Sequence, residues 1–256
     1  MNDELIIGRN PVLEALRSKR EMNKLWLSES ARGGQMRELV QLAKKNGVLI
    51  QYVPRQKLDK MTNSANHQGV AASVAAYRYA GLDELFKKAE KSNQPPFFLM
   101  LDEIEDPRNL GSILRTADCG GVHGVIIPKR RSAALTQAVA KASTGAIEYV
   151  PVARVNNLAQ TIDELKSRGL WIVGTDGDGD HDYREVDLTM PLGLVIGSEG
   201  KGLGRLVKQK CDFLVRLPMS GNVTSLNASV AAGIFIYEVY RKRHPLGGAH
   251  GEHLNC

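Results

Sequence analysis

Three short polar segments, each placed directly after an apolar run, carry the residues best suited to chemistry. They span residues 106–115, 196–202 and 217–227 and set Arg, Asn, Glu and Ser among glycines. Such loops bind ligands through side chains and through closely approaching backbone. Loops that leave the carboxyl ends of buried strands are also where α/β proteins place their ligands. The segments therefore predict one shared site in the C-terminal two-thirds of the chain.

The glycine-rich stretch 197–204 matches neither common nucleotide-binding motif. A phosphate-binding loop needs glycine six positions before its lysine and Ser or Thr after it, but Val195 and Gly202 occupy those positions. The dinucleotide-binding fingerprint fails because Arg205 stands where its third glycine belongs. The feature that remains is Glu199, an acid placed where the backbone is free to approach a ligand.

No metal site is predicted. Residues 176–182 begin like a calcium loop, but His181 replaces the glycine required at its sixth position, which favours a solvated acidic loop. The histidines lack the spacing of zinc ligands, and the three cysteines share no C-x-x-C spacing. His67 and His123 are interpreted as structural histidines.

The elements that must position these segments alternate between strand and helix from Phe97 onward. Apolar runs predict strands at 97–101, 124–127, 148–152, 170–174, 193–197 and 213–217. Helices are predicted at 109–119, 134–142, 157–168, 203–210 and about 225–243. This alternation indicates a mostly parallel sheet covered on both faces.

Two of these helices should begin inside the polar segments. Asn109 is expected to cap the first helix, which places Arg115 within its opening turns. Ser225 or an adjacent residue is expected to cap the last helix. The buried residues of that last helix are predicted to be Val230, Ile234, Ile236 and Val239.

Residues 5–77 form a smaller α/β pattern that carries all the excess positive charge. Residues 1–80 contain 13 Lys and Arg against 7 Asp and Glu, whereas the remainder contains 21 of each. This favours a polyanion-binding module, with nucleic acid as first candidate, and a solubilising basic surface is an equal alternative. No apolar run approaches the roughly 20 residues of a membrane span, and acids near Met1 argue against a signal peptide, so a cytoplasmic protein is expected.

The succession of motifs resembles the SpoU/TrmH family of RNA ribose 2′-O-methyltransferases, which belongs to the SPOUT superfamily. The matching patterns are N-x-G-x-x-x-R at 109–115, I-G-S-E-G at 196–200, and L-P-M at 217–219 followed by S-L-N-A-S at 225–229. Residues 7–16 and the H-Q-G-V run at 67–70 resemble the RNA-binding domain of the branch that modifies a guanosine of 23S ribosomal RNA. The resemblance implies a SPOUT α/β domain with a deep trefoil knot, preceded by a small α/β domain of ribosomal-protein-like type.

The domains implied are an RNA substrate-binding domain at 1–78, a linker at 79–95, a methyltransferase domain at 96–245 and a flexible tail at 246–256. The resemblance also implies a homodimer that methylates ribosomal RNA with S-adenosylmethionine. Donor-binding residues carried over by motif position are Thr175, Gly197, Ser198, Gly200, Leu217, Met219 and Leu226. Residues implied in catalysis are Asn109, Arg115, Glu199, Ser225 and Asn227. Alternatives are a transfer-RNA 2′-O-methyltransferase and a non-catalytic RNA-binding factor of the same fold.

Overall fold

The computed structural model describes residues 5–17, 20–74 and 77–246. They form two compact units, one holding a four-stranded sheet within residues 5–78 and the other a seven-stranded sheet in the bulk of the following chain. Of the predicted tail, residues 247–256 lie outside the described residues.

The first unit places three helices around its sheet. Its elements are β1 (Leu5–Ile7), α1 (Arg9–Arg17), β2 (Met22–Ser28), α2 (Gly34–Lys45), β3 (Ile50–Val53), α3 (Arg55–Met61) and β4 (Val70–Val74). The strand order is β1-β4-β2-β3, with β4 antiparallel to β1 and β2, and β3 parallel to β2. Alternation along β2 sends Leu25 and Leu27 into a core with Leu16 and Leu39 of the first two helices. These elements confirm the small α/β pattern predicted from the sequence.

Both histidines interpreted as structural are buried with hydrogen-bonded rings. In the first unit, His67 contacts Asp59 through Nε2 at 2.8 Å and accepts from the Gly69 N–H through Nδ1 at 2.9 Å. In the second unit, His123 accepts from the Phe97 N–H at 3.0 Å and contacts the Ser92 hydroxyl at 2.8 Å. Burial lowers the pKa of His123 from 6.5 to about 4, aided by the charges of Arg243 and Lys88.

The second unit is built on a sheet in which every strand pair is parallel. Its strands are β5 (Phe97–Leu101), β6 (Gly124–Pro128), β7 (Val152–Val155), β8 (Trp171–Thr175), β9 (His181–Asp182), β10 (Leu192–Ile196) and β11 (Phe213–Arg216). Its helices are α4 (Leu82–Ser92), α5 (Pro107–Cys119), α6 (Gln137–Ser143, from Val139 onward), α7 (Leu158–Ser167), α8 (Arg205–Lys210) and α9 (Ala228–Arg243), with a 3-10 turn at Ala146–Glu148. The strand order is β7-β6-β5-β10-β8-β11-β9.

The two central strands of this sheet are buried along their whole length. All five residues of β5 and all five of β10 are buried, because helices cover both faces of a parallel sheet. The strands run in register from Leu192 beside Phe97 to Ile196 beside Leu101. Their carboxyl ends therefore lie side by side, and the predicted site begins at this edge.

The segment predicted as a linker is mostly helical. α4 occupies Leu82–Ser92 within residues 79–95, and its Leu85 is buried against Phe98 and Ile126 of the sheet. Leu82 and Phe86 are partly buried and pack against the same core. The segment is rich in lysine, so its composition indicates a polar connector although one face of the helix is apolar.

Two strands differ from prediction. The strand expected at 148–152 is β7 at Val152–Val155, because Gly145 has a left-handed φ of 91° and starts the 3-10 turn that buries Ile147. β9 was missed, since a pair of polar residues gives no apolar run.

The buried face of α9 also differs from prediction. Ile236 and Val239 are buried as expected, but Val230 is 51% and Ile234 37% exposed. Phe235 is buried in their place. Apolar residues surround this helix almost completely, so its sequence pattern does not select the face that packs on the domain.

No helix in the described part of the chain combines the length and apolar character needed to cross a membrane. The trefoil knot concerns how the chain threads, which strand order does not test, and it stays a prediction.

Candidate active site

The loops that follow β5, β8, β10 and β11 leave the sheet at the same edge. All these strands are parallel, and β10 lies between β5 and β8 while β11 pairs with the far side of β8. The three polar segments predicted to form one site are therefore brought to one end of the sheet.

The first segment begins α5, but its cap is not Asn109. Asp106 is the N-cap residue and accepts a hydrogen bond from the Arg108 N–H at 2.7 Å, with Pro107 at the first helical position. Asn109 is the third residue of the helix, so its side chain is free of the capping role predicted for it. Gly111 packs so closely on α6 that an added Cβ would lie 2.4 Å from the Cβ of Ala142.

Glu199 joins all three segments through one carboxylate oxygen. Its Oε1 accepts from Asn109 Nδ2 at 2.9 Å, from Asn227 Nδ2 at 2.6 Å and from the Ala228 N–H at 3.0 Å. Asn227 Nδ2 also donates to Asn109 Oδ1 at 3.0 Å. Hydrogen bonds to an ionised carboxylate are stronger than neutral ones, so this network fixes the three segments relative to one another.

The third segment ends where Asn227 caps α9. Its Oδ1 accepts from the Ser229 N–H at 2.9 Å, from the Ser229 hydroxyl at 2.6 Å and from the Val230 N–H at 3.4 Å. The prediction that Ser225 or an adjacent residue caps this helix is therefore wrong, because the cap lies two residues after Ser225. Asn227 both starts the helix and reaches Glu199, because its amide has an acceptor oxygen and a donor nitrogen.

The second segment folds back on itself as a tight loop. The N–H of Ser198 donates to the Gly202 carbonyl at 3.1 Å, and the N–H of Gly202 donates to the Ser198 carbonyl at 3.0 Å. Gly200 and Gly202 have φ angles of 79° and 66°, which glycine adopts without strain. The Oγ of Ser198 is buried without a hydrogen-bond partner among the described residues.

Asp102 supports this loop and was missed by the sequence analysis. Its Oδ2 accepts from the Gly204 N–H at 2.7 Å, which ties the end of β5 to the end of the glycine loop. Burial raises the pKa of this carboxyl above its usual value. An acid directly after five buried apolar residues is the sequence signal that indicates such a role.

A cleft of about 860 Å³ opens between these loops. Glu199 and Ser225 line it. So do all seven residues that the resemblance implies in donor binding, which are Thr175, Gly197, Ser198, Gly200, Leu217, Met219 and Leu226. Its wall also contains Asp176, which accepts the Asp178 N–H at 2.9 Å and forms an ion pair with Lys208 at 3.0 Å. That contact raises the pKa of Lys208, which the sequence analysis had not connected with the site.

Arg115 lies on α5 outside the residues that line the cleft. Its side chain is exposed and has no hydrogen bond or ion pair within the described chain. The structure thus joins Asn109, Glu199 and Asn227 directly, places Ser225 on the cleft wall, and leaves Arg115 unattached on the helix that carries Asn109.

Two known family models match this chain. Residues 96–237 match the model of the SpoU rRNA Methylase family, more than half of the chain. The chain belongs to this family. Residues 5–80 match a second model, described as RNA 2′-O ribose methyltransferase substrate binding.

Two of three similar proteins align with more than nine-tenths of this chain, and the third aligns with 62% of it. YacO of Bacillus subtilis, assigned to the TrmH family of tRNA/rRNA methyltransferases, is 63% identical over 244 residues, 95% of this chain and 98% of the relative. An AdoMet-bound rRNA methyltransferase from Sinorhizobium meliloti has 26% identity and a TM-score of 0.57, covering 93% of this chain and 86% of that one. A TrmH/SpoU tRNA modifying enzyme from A. aeolicus has 30% identity and a TM-score of 0.55, covering 62% of this chain and 84% of that one.

Proposed function

We propose that this family member transfers a methyl group from S-adenosylmethionine to a ribose 2′-hydroxyl of RNA. The observation that carries the proposal is the hydrogen-bonded set of Asn109, Glu199 and Asn227 beside a cleft formed by loops at one sheet edge. The related Sinorhizobium structure, described as AdoMet-bound, supports the choice of methyl donor.

The residues of the cleft fit this donor. Leu217 and Leu226 offer apolar side chains for the faces of an adenine ring, and the buried hydroxyl of Ser198 is available to a polar group. Gly197 lines the cleft without a side chain, so a ligand meets backbone there. The donor supplies an electrophilic methyl group on a positively charged sulfur.

The reaction forms a bond between the ribose 2′-oxygen and the methyl carbon as the carbon–sulfur bond breaks. The bonding electrons go to sulfur, and the hydroxyl proton leaves to water. Arg115 does not act as a base in this proposal, because guanidinium is always protonated in proteins. Instead it binds the neighbouring phosphate and stabilises the developing negative charge, while Asn109, Glu199, Ser225 and Asn227 position the ribose and the arginine.

We further propose a guanosine of 23S ribosomal RNA as the target. The ribosomal enzyme from Sinorhizobium aligns with 93% of this chain, whereas the tRNA modifying enzyme aligns with 62%. The basic first unit is the part of this chain best suited to bind a large RNA, because its net positive charge displaces counterions from phosphates. Transfer RNA remains the alternative substrate.

A homodimer is also part of the proposal. α9 exposes Val230, Ile234 and Tyr237 at 51%, 37% and 50% of their areas. Their spacing of four and three residues places them on one face of the helix. An exposed apolar stripe of this kind is typical of a protein interface, and a second copy with the same stripe is a self-complementary partner.

Mapping 2′-O-methylation in ribosomal and transfer RNA, in cells with and without this gene, tests the proposed function. Loss of one guanosine mark in 23S RNA is the expected result. Loss of a transfer-RNA mark selects the alternative substrate, and unchanged methylation of all RNA contradicts the proposed activity.

A further inference from the structure

One face of α5 forms an exposed ridge beside the site. Its residues are Arg108, Ser112, Arg115 and Cys119, all of them exposed. The spacings of four, three and four residues place them in one row along the helix. We call this row the α5 ridge.

The rest of α5 is fixed by packing, so the ridge is held rigidly. Leu110, Ile113 and Leu114 are buried in the domain. At the other end, Gly120 follows the helix so close to α9 that an added Cβ would lie 2.1 Å from Ile236 Cγ2. Neither end of the helix can shift without disturbing these contacts.

The two arginines of the ridge have no charged partner in the described part of the chain. The side chains of Arg108 and Arg115 have no hydrogen bond or ion pair in the described chain. By contrast, Arg131, Arg184 and Arg241 of the same unit each bind a carboxylate. The acid nearest to Arg108 in sequence, Asp106, accepts the backbone N–H of Arg108. Asp118, three residues after Arg115, is exposed and forms no ion pair with it. The ridge itself contains no acidic residue and no large apolar one.

This combination fits an RNA backbone better than a protein surface. A guanidinium binds a phosphate through two parallel hydrogen bonds, and a ridge without apolar residues has little to contribute to a protein interface. The two arginines are seven residues apart, roughly 10 Å along the helix axis, so they reach different phosphates. Asn109, next to Arg108, holds the ridge to Glu199 and to the cleft.

We propose that the α5 ridge binds the RNA strand on both sides of the methylated nucleotide, with Arg108 holding a second phosphate beyond the one bound by Arg115. The inference rests on the proposed function and adds to it a named residue for substrate binding. Arg108 acts in binding alone, because its side chain forms no hydrogen bond or ion pair with Glu199 or with the cleft residues in the described structure. Its removal should therefore weaken RNA binding equally in the ground state and the transition state.

The test compares Arg108→Gln with Lys87→Gln in the full-length protein. Lys87 is an exposed lysine of α4 without an ion pair in the described structure, so its replacement removes the same charge away from the ridge. The assay measures transfer of labelled methyl from S-adenosylmethionine to total RNA from a strain lacking the enzyme. RNA binding is measured in parallel across salt concentrations.

For Arg108→Gln we expect about a tenfold rise in the KM for RNA, with kcat and S-adenosylmethionine affinity within twofold of the unmodified protein. The slope of log affinity against log salt concentration should become shallower by about one, as expected for the loss of one phosphate contact. Arg108→Lys should keep the salt slope but recover only part of the affinity, since lysine lacks the planar fork.

An unchanged KM and salt slope in Arg108→Gln, equal to those of Lys87→Gln, would overturn the inference while leaving the proposed function intact. A change in oligomeric state with an unchanged KM would instead assign the ridge to contact between protein copies, and also overturns it. If the unmodified protein transfers no methyl group to any RNA, the proposed function fails and the ridge assignment fails with it.

Discussion

Replacing Gly197 by alanine should weaken donor binding through a clash of about 1 Å. The added Cβ would lie 2.4 Å from the Gly202 carbonyl carbon and 2.7 Å from the Leu203 nitrogen, against 3.4 Å for an ordinary contact. Both neighbours are backbone atoms, so no side chain can rotate away. The two arms of the loop must separate by about that difference, which breaks the paired hydrogen bonds between Ser198 and Gly202.

The expected effect follows from those two bonds. Each bond contributes about 1 kcal/mol, so the loss of both costs about 2 kcal/mol. We expect this cost to reduce the free energy of donor binding, because the loop binds the donor in its intact geometry. That corresponds to a rise of roughly 30-fold in the dissociation constant for S-adenosylmethionine, measured by calorimetry. Gly177→Ala is the matched control, because Gly177 lines the same cleft and an added Cβ there meets nothing within 4 Å. Equal donor affinity in the two variants would refute the reasoning.

Three further predictions concern Glu199, Arg115 and the buried His123. Glu199→Gln keeps an acceptor for its three donors but removes the charge, so kcat should fall about tenfold. As the control, Glu105→Gln should leave kcat unchanged, because Glu105 is an exposed acid without a hydrogen bond in the described structure. Arg115→Lys should lower kcat by about 100-fold, and near-normal turnover would contradict the need for a planar guanidinium. The pKa of His123 is about 4 in the folded protein, against 6.5 in the unfolded chain. Between these values the unfolded chain binds a proton that the folded protein does not, so stability present above pH 6.5 is lost as the pH falls towards 4. Urea unfolding should therefore show about 3 kcal/mol of pH-dependent stability that His123→Gln lacks, and equal pH profiles for the two proteins would contradict this cause.

Local sequence signals were sufficient for most of the architecture. Apolar runs located β5, β6, β8, β10 and β11 within one or two residues. The match is best explained for β5 and β10, because a strand buried on both faces needs a continuous apolar stretch. They failed for β7, where a left-handed glycine turned an apolar run into a 3-10 turn. They also failed for α4, whose lysines mask a buried face.

The residue types of the site were identifiable in sequence, but their roles were not. Asp106 and Asn109 are both good capping residues, and only the backbone path after β5 makes Asp106 the cap and frees Asn109 for Glu199. Asp102 gave no motif, because its partner is a backbone N–H more than one hundred residues away.

The amino-acid sequence is sufficient for the basic first unit, the three polar segments and most strands of the parallel sheet, since each depends on neighbours within a few residues. It is not sufficient for β9 or for the helix α4. Only the folded chain brings Asn109 and Asn227 to the same carboxylate oxygen of Glu199 and leaves Arg108 and Arg115 unpaired among the described residues. These contacts join residues about 30 to 120 positions apart, and such proximity arises only when parallel strands align their carboxyl ends at one edge of the sheet.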